Sequence, residues 1–272
     1  MSPREFVTNL AIVSAIMAVA ALIEGAVPFV QSQGGRTGRE RANLALTTVV
    51  FFLNWLLSTT PAVLALLLAW KSPGLASRLL LPIWLQVAAG FVLLDFSVGY
   101  LSHWALHRIP FMWRFHRVHH SDDFVDVTTT YRTHPVETVW RFLFAFVPVW
   151  TLGIPAAAVV LQRLVSAANG ILEHGNIRLW TPLDRVLSLV WVTPNVHKIH
   201  HSRRMSETNS NYGNVLTLYD RALGTYTPSV RAHAVVYGLN DAAGTTESFT
   251  DLLAMPFAIP DTKVRKVPSP AR

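Results

Sequence analysis

The chain has 272 residues, 51% of them hydrophobic and 14% charged, with a formal net charge of +7 and no cysteine. That length suits one or two soluble domains, but the composition is that of a polytopic membrane protein. Lack of cysteine excludes disulfides, Cys-ligated zinc and Cys-ligated iron–sulfur clusters. Positive charge beside apolar spans points to basic loops against anionic lipid, and no nucleic-acid-binding motif accompanies it.

In chain order, residues 7–30 form a first apolar span, long enough to cross hydrocarbon and read as retained rather than cleaved. Glu24, near its end, is expected to reach the interface. A short basic loop, 31–43, carries Arg36, Arg39 and Arg41. Residues 44–70 form a second span, bent at Pro61, with Asn54 as an interhelical hydrogen-bonder. A turn from Lys71 to Arg78 leads to a third span, 79–101. A further apolar block, 138–173, is broken at Gly153-Ile154-Pro155 and flanked by His134 and His174. It reads as a helical hairpin with limbs of about 138–152 and 156–173. Each limb is roughly 22–27 Å long, short of a 30 Å hydrocarbon core, so the hairpin is re-entrant or tilted. The other reading, a single long span, would put the flanking histidines on opposite faces of the membrane. From about 181 the chain reads as soluble and interfacial, with turns at Thr193-Pro194 and Asn209–Gly213 and a poorly ordered tail from about 256. The fold class is therefore all-α, a polytopic helical membrane protein in three regions. These are N-terminal transmembrane helices over 1–101, a histidine-rich catalytic region over 102–228 that includes the hairpin, and a partly disordered extension over 229–272.

The chemistry-bearing residues are histidines. His103 and His107 are four apart and share a helical face. His116, His119 and His120 fan across an arc of roughly 100° on a helix, and His197, His200 and His201 repeat that spacing. Neutral imidazole is a ligand for first-row metals. Eight imidazoles so patterned are too many for one ion and suit two.

These motifs carry a resemblance. HxxxH, HxxHH and HxxHH, in this order after apolar spans, resemble the fatty acid hydroxylase / sterol desaturase superfamily of integral-membrane di-iron oxygenases. Trp113-Arg114-Phe115, Arg132-Thr133-His134-Pro135-Val136-Glu137, Asn211-Tyr212-Gly213 and Asp220–Tyr226 agree with it. The resemblance spans about residues 90–228 and is specific for the superfamily rather than for a substrate. It implies two iron ions held by His103, His107, His116, His119, His120, His197, His200 and His201, with His134 and His174 completing a set of ten. The plain alternative for His134 is a capping imidazole. Some relatives place His-x-x-x-His around the position of His174. Here the residue four before it is Gly170, so either water fills a ligand position or Gly170 only allows close helix packing. Asn169 lies roughly 140° from His174 around a helix and is a poor substitute.

Metal-bound histidines usually donate their outer N–H to an acceptor. Asp95, Glu137, Glu173 and Asp220 are the candidates. Asp95 lies roughly 80° from His103 on a uniform helix. Glu137 has Arg132 or Arg141 as alternative partners, and Asp220 has a turn to brace. Asp122 and Asp123 read as solvated. Zinc has no redox chemistry, so iron enters through the resemblance. The implied reaction is oxygen-dependent hydroxylation of a membrane lipid, with desaturation behind it. Electrons come from an external donor protein, since no flavin, dinucleotide or cytochrome motif is visible. A membrane metal transporter and a catalytically dead relative are the competing classes. The positive-inside bias places the histidine-rich region and the 31–43 loop in the cytoplasm. A reporter fused after Arg41 is expected to read cytoplasmic; a periplasmic or lumenal signal would reverse the topology.

Overall fold

The computed structural model describes residues 3–31, 37–69, 81–239 and 248–258. Among these residues the fold is helical, with two isolated β-bridges, Pro28 to Ile177 and Trp191 to Leu216. Helix α1 (Pro3–Ala26) is apolar on all sides, the pattern of a helix that faces no water. Helix α2 (Thr37–Ala69) runs on through Pro61. The side chains of 58–69, the basic-loop residues 32–36, the turn expected from Lys71 to Arg78 and the tail from 259 lie outside the described residues. Helix α3 (Ile83–Leu94), a π-helical turn (Asp95–Leu101) and α4 (Ser102–Arg108) form one continuous rod. Two segments, Phe6–Ala26 and Ile83–Arg108, are long and apolar enough to cross a membrane.

The π turn matters for the site. Its wider coil changes the phase of every residue after it, so angles counted on a uniform α-helix fail here. Asp95 therefore faces the 212–220 segment, where its Oδ2 accepts the Leu216 N–H at 3.3 Å. The turn is tied to the next long helix by Ser97, whose hydroxyl donates to the Phe144 carbonyl at 2.7 Å.

Helix α5 (Pro110–His120) and helix α6 (Pro135–Leu152) both begin with proline, which needs no N–H partner in the first turn. Helix α6 ends at Gly153, whose φ of 68° and ψ of 42° are readily reached only without a Cβ. The chain then turns into α7 (Ala156–His174), which is followed by the short helix α8 (Thr181–Leu187). Beyond the turn the limbs pack on other helices, α6 on α2 and α7 on α3. Gly90 allows the second contact, since a Cβ there would stand 2.8 Å from both Ala158 and Ile154. Large apolar side chains on these helices remain uncovered, among them Leu22, Trp84, Val147 and Val160. Hydrocarbon tolerates such a surface better than water does.

A buried polar network ties α2 to the loop after α5. Arg39 donates to Asp122 at 3.0 Å and to the Phe124 carbonyl at 3.0 Å, and also pairs with Asp126. Asn43 donates to Asp122 at 3.1 Å and accepts from Arg132 at 2.8 Å. Arg132 also donates to the Val118 carbonyl at 3.1 Å, satisfying a carbonyl that the end of α5 leaves unpaired. Asp122 is thus an interior acid, not a solvated one, and Arg132 is committed here rather than to Glu137. Glu24 likewise does not reach outward: its Oε1 accepts the Val127 N–H at 2.9 Å and the Asn176 N–H at 2.6 Å. A short 3-10 helix (Val127–Tyr131) lies between these anchors. Replacing Arg39 with Met would leave Asp122 and Asp126 buried together. The expected loss is about 3–5 kcal/mol, read from thermal or denaturant unfolding of the detergent-purified protein. A loss under about 1 kcal/mol would mean that water already screens the network.

Candidate metal centre

Nine buried histidines fall into two sets. His103, His107, His116, His120 and His200 form one; His119, His174, His197 and His201 form the other. Within each set one nitrogen per ring lies within 4.8 Å of all the others. The sets adjoin, with the rings of His120 and His201 stacked 4.7 Å apart.

Each HxxHH motif is divided between the sets, which spacing alone does not reveal. In α5 the i, i+4 pair His116 and His120 serves the first set and His119 the second. Helix α9 (Pro194–His200) does the reverse: His197 and His201 serve the second set and His200 the first. The 100° fan of each triplet is what lets one helix address two points. Thr193 caps α9, its hydroxyl accepting the Val196 N–H. His103 and His107 come from α4, and His174 is the last residue of α7.

The outer nitrogens fix the tautomers. His103 Nδ1 donates to the Tyr212 carbonyl at 2.8 Å, and His200 Nδ1 to the Ser210 carbonyl at 2.7 Å. His174 Nδ1 donates to the Gly170 carbonyl at 2.6 Å. His116 Nδ1 donates to Glu137 Oε2 at 2.8 Å. A neutral imidazole with its proton on Nδ1 presents a lone pair at Nε2. Yet His103 Nε2 lies 3.0 Å from His116 Nε2, and His174 Nε2 lies 3.1 Å from His119 Nε2 and 3.0 Å from His197 Nε2. The pair His103 and His116, each protonated on Nδ1, cannot hydrogen-bond to one another through Nε2. His200 Nε2 is buried with no hydrogen-bond partner at all. Neighbouring donors about 2.1 Å from a shared cation at right angles would stand about 3 Å apart. The observed separations fit that arrangement.

Electrostatics agree. Burial pushes His116, His119, His120, His197 and His201 well below the ordinary imidazole range, and His200 to about 4. They are therefore neutral near pH 7, the form in which an imidazole can bind a metal. Burial also lowers Lys198, between the histidines of α9, to about 7; its Nζ donates to the Gly175 carbonyl at 2.7 Å.

The remaining sequence candidates are placed as follows. His134 joins neither set. It caps α6, its Nδ1 accepting the Val136 N–H at 3.2 Å, and its ring packs on Phe115. Glu137 meets a set directly through His116. Glu173 Oε1 lies 3.9 Å from His197 Nε2 and from His174 Nδ1. Asp220 acts at one remove: it accepts the Tyr212 and Gly213 N–H groups at 2.9 and 2.8 Å, and so holds the loop whose carbonyl orients His103. Asn169 is no ligand; its amide donates to Glu173 and the Val192 carbonyl, and its oxygen accepts from Trp191.

Sequence reasoning overlooked the carbonyls of Gly170, Ser210 and Tyr212. The available signal was the Asn209–Gly213 turn. There Asn211 adopts a φ of 53°, and its amide donates to the Val196 and Thr227 carbonyls. Trp113 was read only as part of a motif, yet it packs against His107 and His120 at 5.0 and 5.5 Å.

A buried, two-part histidine centre on an all-helical scaffold is the class of site this structure defines. The fatty acid hydroxylase family model matches residues 87–225, just over half of the chain, and the chain belongs to that family. An ornithine lipid hydroxylase of Rhizobium tropici is 33% identical over 178 residues, covering 65% of this chain and 52% of the relative. Alkylglycerol monooxygenases of Caenorhabditis elegans and Homo sapiens are 26% and 28% identical, covering 52% and 66% of this chain and 27% and 36% of their own lengths. The chain thus spans about half the length of the first and about a third or less of the other two. No solved structure matches.

If His134 is a cap and not a ligand, His134→Ala should retain the iron content of the unaltered protein. It should cost about 1 kcal/mol of stability. Elemental analysis beside a melting curve checks both, and loss of an iron would return His134 to the ligand set.

Proposed function

We propose that the chain is a multi-pass, membrane-bound, non-haem di-iron oxygenase that hydroxylates a lipid, with its active site facing the cytoplasm. The observation that carries this reading is the convergence of buried imidazole lone pairs on two adjacent points. His103, His107, His116, His120 and His200 would hold one iron, and His119, His174, His197 and His201 the other. Bound there, the pair would supply the oxygen activation that attack on an unactivated C–H bond requires. The overall change is RH + O2 + two electrons + two protons giving ROH + H2O, the electrons coming from a separate donor protein.

The chain's own residues prepare the site for that reaction. Glu137 and the carbonyls of Gly170, Ser210 and Tyr212 hold four imidazoles in one tautomer and one orientation. Trp113 covers two rings of the first set and keeps water from them. Beside it a cleft of about 200 Å³, lined by Trp113, Arg117, His120, Ser202, Arg203 and Met205, leads to His120. The cleft is a candidate approach to the centre for a substrate. The uncovered apolar faces of α1, α3, α6 and α7 suit a protein that meets its substrate in the bilayer.

Hydroxylation is favoured over desaturation because the family description and the relatives named above are all hydroxylases or monooxygenases. Purified protein should contain two irons per chain. His119→Ala and His200→Ala, one from each set, should each lower that content and bring product formation to background without loss of membrane insertion. Comparative lipidomics of cells with and without the gene should show a lipid shifted by about +16 daltons, one oxygen gained. A shift of about −2 daltons would indicate desaturation, and a single labile zinc would place the protein in another class.

A further inference from the structure

The two histidine sets are unequal, five imidazoles against four. Nitrogen separations near 3 Å suit donors at right angles, and a six-coordinate ion held by such donors would be left one position short of imidazole in the first set and two in the second. The acid closest to the four-histidine set is Glu173. It is 2% exposed and sits one residue before the ligand His174. Its Oε1 accepts from the Asn214 amide at 3.2 Å, and its Oε2 from the Asn169 amide at 3.2 Å. Two amides from different segments thus hold the carboxylate in one orientation, and each oxygen keeps a further lone pair. Oε1 stands 3.9 Å from His197 Nε2, a donor atom of the set. Neighbouring donors in that set are 3.0–3.1 Å apart, so Glu173 lies just outside the ring of ligands. A water whose oxygen lone pair is given to the ion, and whose O–H donates a hydrogen bond of about 2.7 Å to Glu173, would span such a gap.

Gly170 completes the argument. A side chain there would point at Thr130 and Asn214, with its Cβ 3.7 Å from the Asn214 amide nitrogen. A Cβ there fits in ordinary contact, and only a side chain longer than alanine's would press on the amide that holds Glu173. Glycine at 170 and the carboxylate at 173, on one face of α7, are therefore linked.

We propose that Glu173 is the acidic partner of the four-histidine site: its carboxylate holds a water in a coordination position that no imidazole fills. Glu173 is a positioning residue in this account. It also places one negative charge beside a buried dication, as Glu137 does for the other set through His116. The proposal rests on the di-iron reading, and the test separates the two. Full-length protein in detergent is loaded with iron-57, its iron counted per chain, and its Mössbauer spectrum recorded with and without a chelator. The unaltered protein should show two inequivalent sites in equal amount. In Glu173→Gln the signal of one site should shift while the other stays, and one iron should be held about 10- to 100-fold more weakly against the chelator. Glu173→Asp keeps the charge and should retain both irons, with a smaller shift confined to the same site. It decides the matter where the glutamine variant does not fold. Unchanged spectra and chelator resistance in Glu173→Gln, or in Glu173→Asp if that is the variant that folds, would overturn the proposal and leave the di-iron reading intact. Unaltered protein that binds no iron would overturn both.

Discussion

The structure depends on the protonation pattern of its buried imidazoles. Backbone carbonyls and one carboxylate take the outer N–H of four rings, so the inner nitrogens carry lone pairs. Packing such nitrogens 3.0 Å apart in a dry interior is unfavourable unless a cation is shared among them. Every element near the site serves this geometry. Helices α5 and α9 bring the triplets, the loop 210–212 brings carbonyls, and Asp220 holds that loop by accepting two of its N–H groups. A cation that binds only the folded arrangement adds its binding free energy to folding.

The hairpin follows from the same demand. Glu137, in the first turn of α6, reaches His116, and His174, at the end of α7, reaches His119. Those two histidines are three residues apart on α5. The limbs between Glu137 and His174 must therefore leave and return to one helix, and Gly153 makes the reversal. Because each limb packs on a different neighbour, α6 on α2 and α7 on α3, the hairpin also braces the N-terminal helices against the histidine sets.

Much of the site was legible because metal ligation leaves periodic traces. The i, i+4 spacing of His103 and His107, and the two HxxHH triplets, contain eight of the nine clustered imidazoles. The ninth, His174, came from family resemblance rather than spacing. The apolar block with Gly153-Ile154-Pro155 at its middle gave the two limbs to within a few residues. What was not legible has physical reasons. The π turn at Asp95–Leu101 has no composition that separates it from an α-helix, so the angle from Asp95 to His103 came out wrong. His134 looked like a ligand by its place in a motif, whereas a histidine directly before Pro135 is equally suited to cap the helix that proline begins. Asp122 looked solvated because its partner Arg39 lies 83 residues away, and pairing across that distance leaves no local pattern.

The buried charges show how the site and its scaffold are separated. Arg39, Asp122, Asp126 and Arg132 neutralise each other around the end of α5, and Asn43, Ser121 and backbone carbonyls meet their hydrogen bonds except at Arg39 Nε, which is buried without a partner among the described residues. Buried ion pairs of this kind add little stability over well-packed apolar groups, but they are costly to break and so fix one arrangement. Glu137 and Glu173 are different. One faces the outer nitrogen of His116 and the other is held by amides beside His174, so both stand against the histidine sets. Arg39 and Arg132 are committed to the scaffold, and Arg141 lies within electrostatic reach of both carboxylates; Glu137 and Glu173 nonetheless turn toward neutral imidazoles, an arrangement suited to positive charge added at the histidine sets.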